Sequence, residues 1–403
     1  VSGFGVSEGI FLAPESDWGD DEFIQLNSVH LTEATQTMTD SAQTSAPSAA
    51  NGAAATLNVL PSSTATLPRE CTFSESDWRA LAPYWYPVAF SHEVAAQPVA
   101  VRLLDERVVL YRLSDGKVFA ARDLCLHRGV PLSMGHVEGD ELVCKYHGLR
   151  YDRSGQCVCI PAHPKGAISS RLHLHTYGAR EAYGLIWVRL VDDGADRFPD
   201  FTEWDDPEYL QVLPDSVSIA AAAGRQVEGF LDVAHFAFIH VKSFGETDNT
   251  VVPDYPVEKT ADGFVADYVS TVSNYGHGYK HLNPPGFLWR RRFQVWFPFT
   301  AKLTVFFPNE GRLQILNAAS PVSARKTRLF VPICRNFDHD APLQATLDFN
   351  QQVFAEDQAV VENQYPEDLP IDLHAEAHFP ADRSSITYRK GLAARGLGQS
   401  FTA

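Results

Sequence analysis

At 403 residues, with 45% hydrophobic, 21% charged and 11% aromatic side chains, the chain has the composition of a two-domain globular protein and not of a disordered, collagenous or disulfide-framed one. Acidic residues outnumber basic ones by 50 to 33, and a net charge of −17 excludes non-specific retention on nucleic acid or anionic lipid. No run approaches the roughly 18 apolar residues of a membrane span, and the N-terminus lacks the basic start and apolar core of a secretory signal, so no membrane contact and a cytoplasmic location are expected.

Residues 1–77 read as an acidic, low-complexity extension without fixed structure. Residues 1–67 hold eight Asp or Glu and no Lys or Arg, and residues 32–67 run through Ala, Ser and Thr without helical or strand periodicity. The chain begins at Val1, and Met38 opens an ordinary translational start, so residues 1–37 are expected to stand outside the natural protein. From Trp78 the texture changes to short alternating runs (99–104, 107–112, 118–121) with Ser114-Asp115-Gly116 as a hairpin turn. The run 183–190 is a good buried strand. Asp192-Asp193-Gly194 follows it, so a β-rich domain is expected over 78–195.

The remainder mixes types. Residues 225–240 pattern as a helix, 253–335 as strands and 341–363 as a long helix. The expected class is therefore α+β: the β-rich domain, then a domain over 196–396 with a mixed or antiparallel sheet flanked by helices, and a tail over 397–403.

Four of the six cysteines, Cys125, Cys144, Cys157 and Cys159, share a 35-residue window with His127, His136 and His147. Six cysteines are too few for a disulfide framework and point to metal or catalytic chemistry. Cys125-Leu-His127 is followed after 16 residues by Cys144-Lys-Tyr-His147. Two thiolates and two imidazoles suit either one tetrahedral zinc or a [2Fe–2S] cluster with the histidines on one iron and the cysteines on the other. The Cys-x-His gap is tighter than zinc sites use, and mixing one Cys and one His in each loop favours the cluster. Neutral imidazoles in place of two thiolates raise its potential, so it can accept electrons from a ferredoxin or flavoprotein. Gly129, Gly135 and Gly148 supply permissive backbone for the loops. Cys157 and Cys159 read as structural, and His173 and His175 as exposed on one strand face.

In Glu228-x3-Asp232-x2-His235-x4-His240, a helix places Glu228, Asp232 and His235 within roughly 60° of one another and His240 about 140° from His235. The two histidines can share a metal only if the helix bulges or ends between them. Two histidines and a carboxylate on one face of Fe(II) leave positions open for O₂. Asp357 is the candidate acid: Val353, Phe354, Val360 and Val361 flank it at helical spacing, and a buried carboxylate there is costly unless it ligates a metal. Its neighbour Glu356 is expected to stay in water.

Other features carry weaker signals. Arg290-Arg291-Arg292 in a strand should alternate between two faces, a solvated pattern that could also clamp a substrate carboxylate or sulfonate. His374-Ala-Glu376-Ala-His378 reads as surface or packing. Tyr275, His277, His281, Phe287, Trp289, Trp296 and Phe306 could line a pocket for a ring, with core packing the alternative. No G-x-G-x-x-G or P-loop occurs, so nicotinamide and flavin chemistry must come from another chain.

Cys125-Leu-His-Arg-Gly through Cys144-Lys-Tyr-His-Gly, with Gly155-Gln-Cys-Val-Cys-Ile-Pro161 after it, resembles the Rieske domain of the Rieske non-heme iron oxygenases. With D-x2-H-x4-H and the later Asp357, the resemblance covers about residues 80–395. It departs at Leu126, where members often carry Pro, and at Lys145, often Pro or Trp; both positions edge the cluster loops. The resemblance implies that Cys125, His127, Cys144 and His147 hold a Rieske [2Fe–2S] cluster, that His235, His240 and Asp357 hold a mononuclear Fe(II), and that Asp232 bridges the two centres by hydrogen bonds. It implies a terminal oxygenase that uses O₂ and electrons from a separate NAD(P)H-dependent reductase, with or without a ferredoxin, working as a head-to-tail homotrimer. The expected reaction is hydroxylation or demethylation of a ring-containing small molecule, as in the α-only monooxygenases, demethylases and phthalate-dioxygenase-like members. A cis-dihydroxylating dioxygenase is the alternative within the family, and a Rieske electron carrier without oxygenase activity the alternative of another class.

Overall fold

The structure, a computed structural model, describes residues 65–398; residues 1–64, which include the segment 1–37, and residues 399–403 lie outside it. Helix α1 (Glu75–Leu81) opens the described chain, and ten strands follow: β1 (Tyr86–Phe90), β2 (Val99–Leu103), β3 (Glu106–Arg112), β4 (Val118–Arg122), β5 (His136–Glu138), β6 (Glu141–Val143), β7 (Arg150–Tyr151), β8 (Cys157–Cys159), β9 (Thr176–Ala182) and β10 (Leu185–Arg189). They build a six-stranded sheet in the order β1-β10-β9-β4-β3-β2 and a four-stranded sheet, β5-β6-β7-β8. The Ser114-Asp115-Gly116 turn closes the β3–β4 hairpin as its chemistry dictates: Gly116 takes φ 79°, and the Asp115 carboxylate accepts the Lys117 N–H at 3.1 Å.

A third sheet begins at β11 (Leu210–Val212). It continues with β12 (Val217–Ile219), β13 (Val257–Lys259), β14 (Gly263–Ser270), β15 (Trp289–Trp296), β16 (Thr300–Phe306), β17 (Arg312–Ser323), β18 (Lys326–Phe330) and β19 (Ile333–Arg335). Its main order is β11-β19-β17-β16-β15-β14-β13, with β18 joining β12 to β17. Every pairing from β11 to β19 is antiparallel. Helices α2 (Ala223–Leu231), α3 (Phe236–Ile239), α4 (Leu343–Val361) and α5 (Arg383–Ala393) accompany this sheet. A β-rich half followed by an α+β half is the class the sequence pattern calls for. No helix among the described residues is long and apolar enough to cross a membrane.

Strand β15 shows how alternation positions the later site. Trp289, Arg291, Phe293 and Val295 are buried, while Arg290, Arg292 and Gln294 lie on the other, more open face. The register sets Phe293 opposite Leu303 and Leu303 opposite Ile315, so an apolar floor runs across β15, β16 and β17.

The two halves share a core. Val88, Leu103 and Ile186 belong to the same buried cluster as Phe293, Val305 and Leu329. The β2–β3 turn adds backbone bonds, Leu104 N–H to Pro321 O at 2.7 Å and Asp105 N–H to Val322 O at 3.0 Å. Residues 65–77 differ from the expected unstructured extension. Phe73 and Asp77 are buried, because Thr72 donates twice to the Asp105 carboxylate and α1 starts at Glu75. At the other end, Leu397 is buried and the Gly398 N–H reaches Asp77 Oδ1 at 2.9 Å. His173 and His175 lie outside the named strands and are half-buried, not exposed.

Candidate metal centres

Cys125 and Cys144 open two loops with the same hydrogen-bond plan. Cys125 N–H donates to Val130 O and Gly129 N–H to Cys125 O, at 2.8 and 2.9 Å; Cys144 N–H donates to Leu149 O and Gly148 N–H to Cys144 O, at 2.9 and 3.0 Å. Each loop turns on a left-handed glycine, Gly129 at φ 72° and Gly148 at φ 69°, a conformation that a side chain would strain. Both thiols are buried, whereas His127 and His147 are exposed at the loop tips with ring centroids 4.6 Å apart. Burial pushes the Cys144 thiol up and the adjacent Cys125 adds to this, while the backbone N–H groups of Tyr146 and His147 aimed at the sulfur pull it down. Tyr151 Oη lies 3.4 Å from Cys125 Sγ. Among the described residues, no three of these four side chains bring ligand atoms within 4.8 Å of one another, which disfavours a single tetrahedral ion. Two sulfurs within and two imidazoles outside fit a cluster with two irons. Cys157 is buried and Cys159 half-buried on β8.

The second constellation sits where α2 ends. The helical reading of 225–240 needs correction: α2 stops at Asp232, which takes extended φ −73°, ψ 130°, and whose Oδ1 accepts the Ala234 N–H at 2.7 Å. This local bond competes with the helix and breaks it. The chain then makes the single turn α3, with His235 as its N-cap and His240 as its C-cap. Instead of diverging by 140°, the two Nε2 atoms come to 3.0 Å. From α4, Asp357 Oδ1 approaches them at 3.5 and 3.2 Å. Among the described residues this is the one set of three or more His, Cys, Asp or Glu whose ligand atoms all lie within 4.8 Å.

Tautomers follow from the outer partners. His240 Nδ1 lies 2.9 Å from Glu356 Oε2, which can only accept, so Nδ1 carries the proton and Nε2 presents a lone pair. His235 Nδ1 faces Asp232 Oδ2 at 3.8 Å. Three ligand atoms, two imidazole Nε2 and one carboxylate oxygen, thus converge, and the donor set fits Fe(II) with open positions. With no cation bound, burial opposes charge at His235, but the carboxylates of Asp232 and Asp357 outweigh it and push the imidazole up to about 9, so a metal ion that binds there displaces this proton. Burial likewise works against Asp357, yet the two imidazoles hold its carboxyl below the usual range.

Glu356 is not in water. Its carboxylate also accepts from Ser243 Oγ at 2.7 Å and from Gln352 Nε2 at 3.1 Å, and it orients His240 from behind. The helical stripe is less deep than its spacing suggests, for Val360 is 40% exposed, and this leaves room for Glu356 to turn inward. Glu356→Ala is expected to weaken Fe(II) binding roughly 10–100-fold, measured by equilibrium dialysis, while the visible absorption of the cluster stays unchanged.

Glu228 has a structural partner. Arg389 of α5 donates from Nε and Nη2 to its two oxygens at 2.6 and 2.8 Å and also bonds Glu376, to which Arg225 Nη2 donates at 2.8 Å. Glu376 of the His-x-Glu-x-His segment is therefore part of a buried network that clamps α2 to α5, just before the break at Asp232.

Between the helices and the sheet floor lies a cavity of about 510 Å³, its mouth included, bounded by His235, His240, Asp357 and mostly phenylalanine and aliphatic side chains. Phe230, Phe236, Phe244, Phe293 and Phe349 are its aromatics. None of the seven aromatic or histidine residues between the ligands that the sequence singled out is among its lining. Tyr275, Phe287 and Trp289 pack edge to face within the core, while His277 and His281 are exposed. Its polar walls, apart from the triad, are Asn274, Asn350 and Arg291.

Residues 84–178 match the Rieske [2Fe–2S] domain family, and residues 219–396 match the vanillate O-demethylase oxygenase C-terminal domain family. Methylxanthine N1-demethylase NdmA of Pseudomonas putida is 34% identical over 321 residues, 77% of this chain and 88% of that protein. The oxygenase component of dicamba O-demethylase from Stenotrophomonas maltophilia is 34% identical over 169 residues, 41% of this chain and 48% of that one. The solved structure of NdmA with caffeine superposes with a TM-score of 0.71 at 31% identity, covering 79% of this chain and 92% of that chain. The chain belongs to the Rieske non-heme iron oxygenases, oxidoreductases that incorporate molecular oxygen with a Rieske [2Fe–2S] cluster and a mononuclear iron.

Proposed function

We propose that this chain is the terminal oxygenase that demethylates or hydroxylates a ring-containing small molecule, with electrons from a separate NAD(P)H-dependent reductase, directly or through a ferredoxin. In this reading Cys125, His127, Cys144 and His147 hold the cluster, His235, His240 and Asp357 hold the mononuclear iron, and residues 78–195 and 196–396 are the two functional domains. When bound, the cluster supplies single electrons and the mononuclear iron supplies O₂ activation. The observation that carries the reading is the convergence of three metal-ligand atoms at the wall of an apolar, phenylalanine-lined cavity. The residues of this chain do the rest. Glu356 holds the His240 imidazole by its Nδ1, Asp232 faces that of His235, and the phenylalanines keep water from the site and favour a planar guest.

The relatives' names support demethylation, since NdmA and the dicamba enzyme are both demethylases, and "oxygenase component" in the latter name marks a system of several proteins. Exposure supports transfer between copies of the chain. His127 and His147 are exposed, and the Asp232 side chain is 40% exposed, so the cluster edge of one subunit can meet Asp232 of the next in a head-to-tail trimer.

A single turnover tests this. The holoenzyme is reduced without oxygen, mixed with N- and O-methylated ring compounds and O₂, and the products are weighed. Loss of a methyl group or gain of one oxygen is the expected result. Gain of two oxygens and two hydrogens would replace it with cis-dihydroxylation, and oxidation of none of the panel by a fully iron-loaded protein would overturn the reading.

A further inference from the structure

Arg291 is a buried cation, and among the described residues no carboxylate pairs with its guanidinium. It is 1% exposed and belongs to the lining of the cavity that His235, His240 and Asp357 also bound. Its Nη2 donates to Val272 O at 3.1 Å and to Asn274 Oδ1 at 3.3 Å, while its Nη1 has no hydrogen-bond partner among the described residues. The nearby acids are engaged elsewhere: Asp267 with Arg290 and Arg292 on the opposite face, and Glu246 with Lys280. Burial pulls the guanidinium down to about 10, so it remains charged at neutral pH. An unpaired donor on a buried charge is costly, and the fold nevertheless holds it beside the site where the reaction is placed.

We propose that Arg291 is the specificity-determining residue of this pocket and that the ring it receives carries an oxyanion, a carboxylate or sulfonate, which accepts from the free Nη1 and supplies the missing counter-charge. This rests on the proposed function only in taking the cavity as the substrate site. The Phe236 ring fixes the layout. Its centroid lies 5.3 Å from the Arg291 guanidinium carbon and 5.0 Å from the His235 ring, so a planar guest along this wall presents one end to the cation and the other to the triad. The apolar remainder of the lining gives a neutral ring contact area but leaves Nη1 unpaired, and discrimination against a guest without the acceptor follows.

The test reads binding, not turnover. Iron-loaded holoenzyme under nitrogen is titrated calorimetrically with 4-methoxybenzoate, 4-toluenesulfonate, methoxybenzene and caffeine. The expected result is that at least one of the two anions binds about tenfold or more tighter than both neutral rings. Arg291→Met should abolish that preference while leaving the weak binding of methoxybenzene, and Arg291→Lys should keep part of it. An apolar side chain of similar volume relieves the burial of charge, and unchanged iron content and cluster absorption serve as the folding control. Equal or tighter binding of a neutral ring by the wild type, or an anion preference that survives Arg291→Met, would overturn the proposal. The wild-type comparison stands even where the variant fails to fold. Preferential binding of an anion that is then not oxidised counts against the proposed function and leaves the assignment of Arg291 standing.

Discussion

Asp357→Ala is expected to leave the cluster in place and to empty the second site, lowering iron from about three to about two per chain and single-turnover product to background. The carboxylate is the only anionic member of the triad, and Nε2 atoms 3.0 Å apart offer a divalent ion no charge compensation. The folded chain should tolerate the change. Asp357 faces His235 and His240 and, among the described residues, pairs with no arginine, so the only charge its loss exposes is on an imidazole that can release its proton. Iron analysis beside the visible spectrum makes the measurement. A variant that kept about three irons with undiminished product would remove Asp357 from the ligand set.

Asp232→Asn should separate metal binding from electron delivery. The amide keeps the oxygen that accepts the Ala234 N–H, so the break between α2 and α3 survives and the histidines stay where they are. The charge facing His235 Nδ1 at 3.8 Å is lost, and with it the acceptor proposed to join one subunit's cluster to the next subunit's iron. Both metals are expected at wild-type occupancy, and product formed with the reductase should fall by roughly 100-fold. Chemical reduction of the cluster should proceed as before. Full coupled activity would exclude the bridge, and loss of iron would show that Asp232 is needed for the site itself.

Local chemistry was legible in the sequence where spacing alone dictates it. The β3–β4 hairpin follows from Ser114-Asp115-Gly116, and the Cys-His loops are written in their glycines. The residues Asp357, His235 and His240, singled out from a helical stripe and a broken helix, do come together. What was not legible depends on partners far along the chain. Glu228 meets Arg389 across 161 residues, and Glu356 meets Ser243 across 113, so neither acid could be assigned before α4 and α5 were placed. The pocket aromatics were misread for a related reason. Trp289 and Phe293 share one face of β15, but the helices cover only part of that face, and which end becomes cavity and which becomes core is set by the packing of α3 and α4. Strand alternation puts Arg291 on that same buried face, where the triplet alone read as solvated.

The backbone bonds from Leu104 and Asp105 to β17 bear on how this fold can be recombined. Both residues adopt left-handed φ, 49° and 64°, conformations that cost free energy in isolation and are held here by Pro321 and Val322. A chimera that grafts the cluster-bearing half of one relative onto the catalytic half of another must therefore transplant this turn together with its receiving strand. Cutting at the linker between β10 and β11 alone would preserve every metal ligand and still break the seam. Shuffled libraries of such oxygenases should accordingly lose most of their members to misassembly, and recover when residues 104–105 and 321–322 are inherited from the same parent.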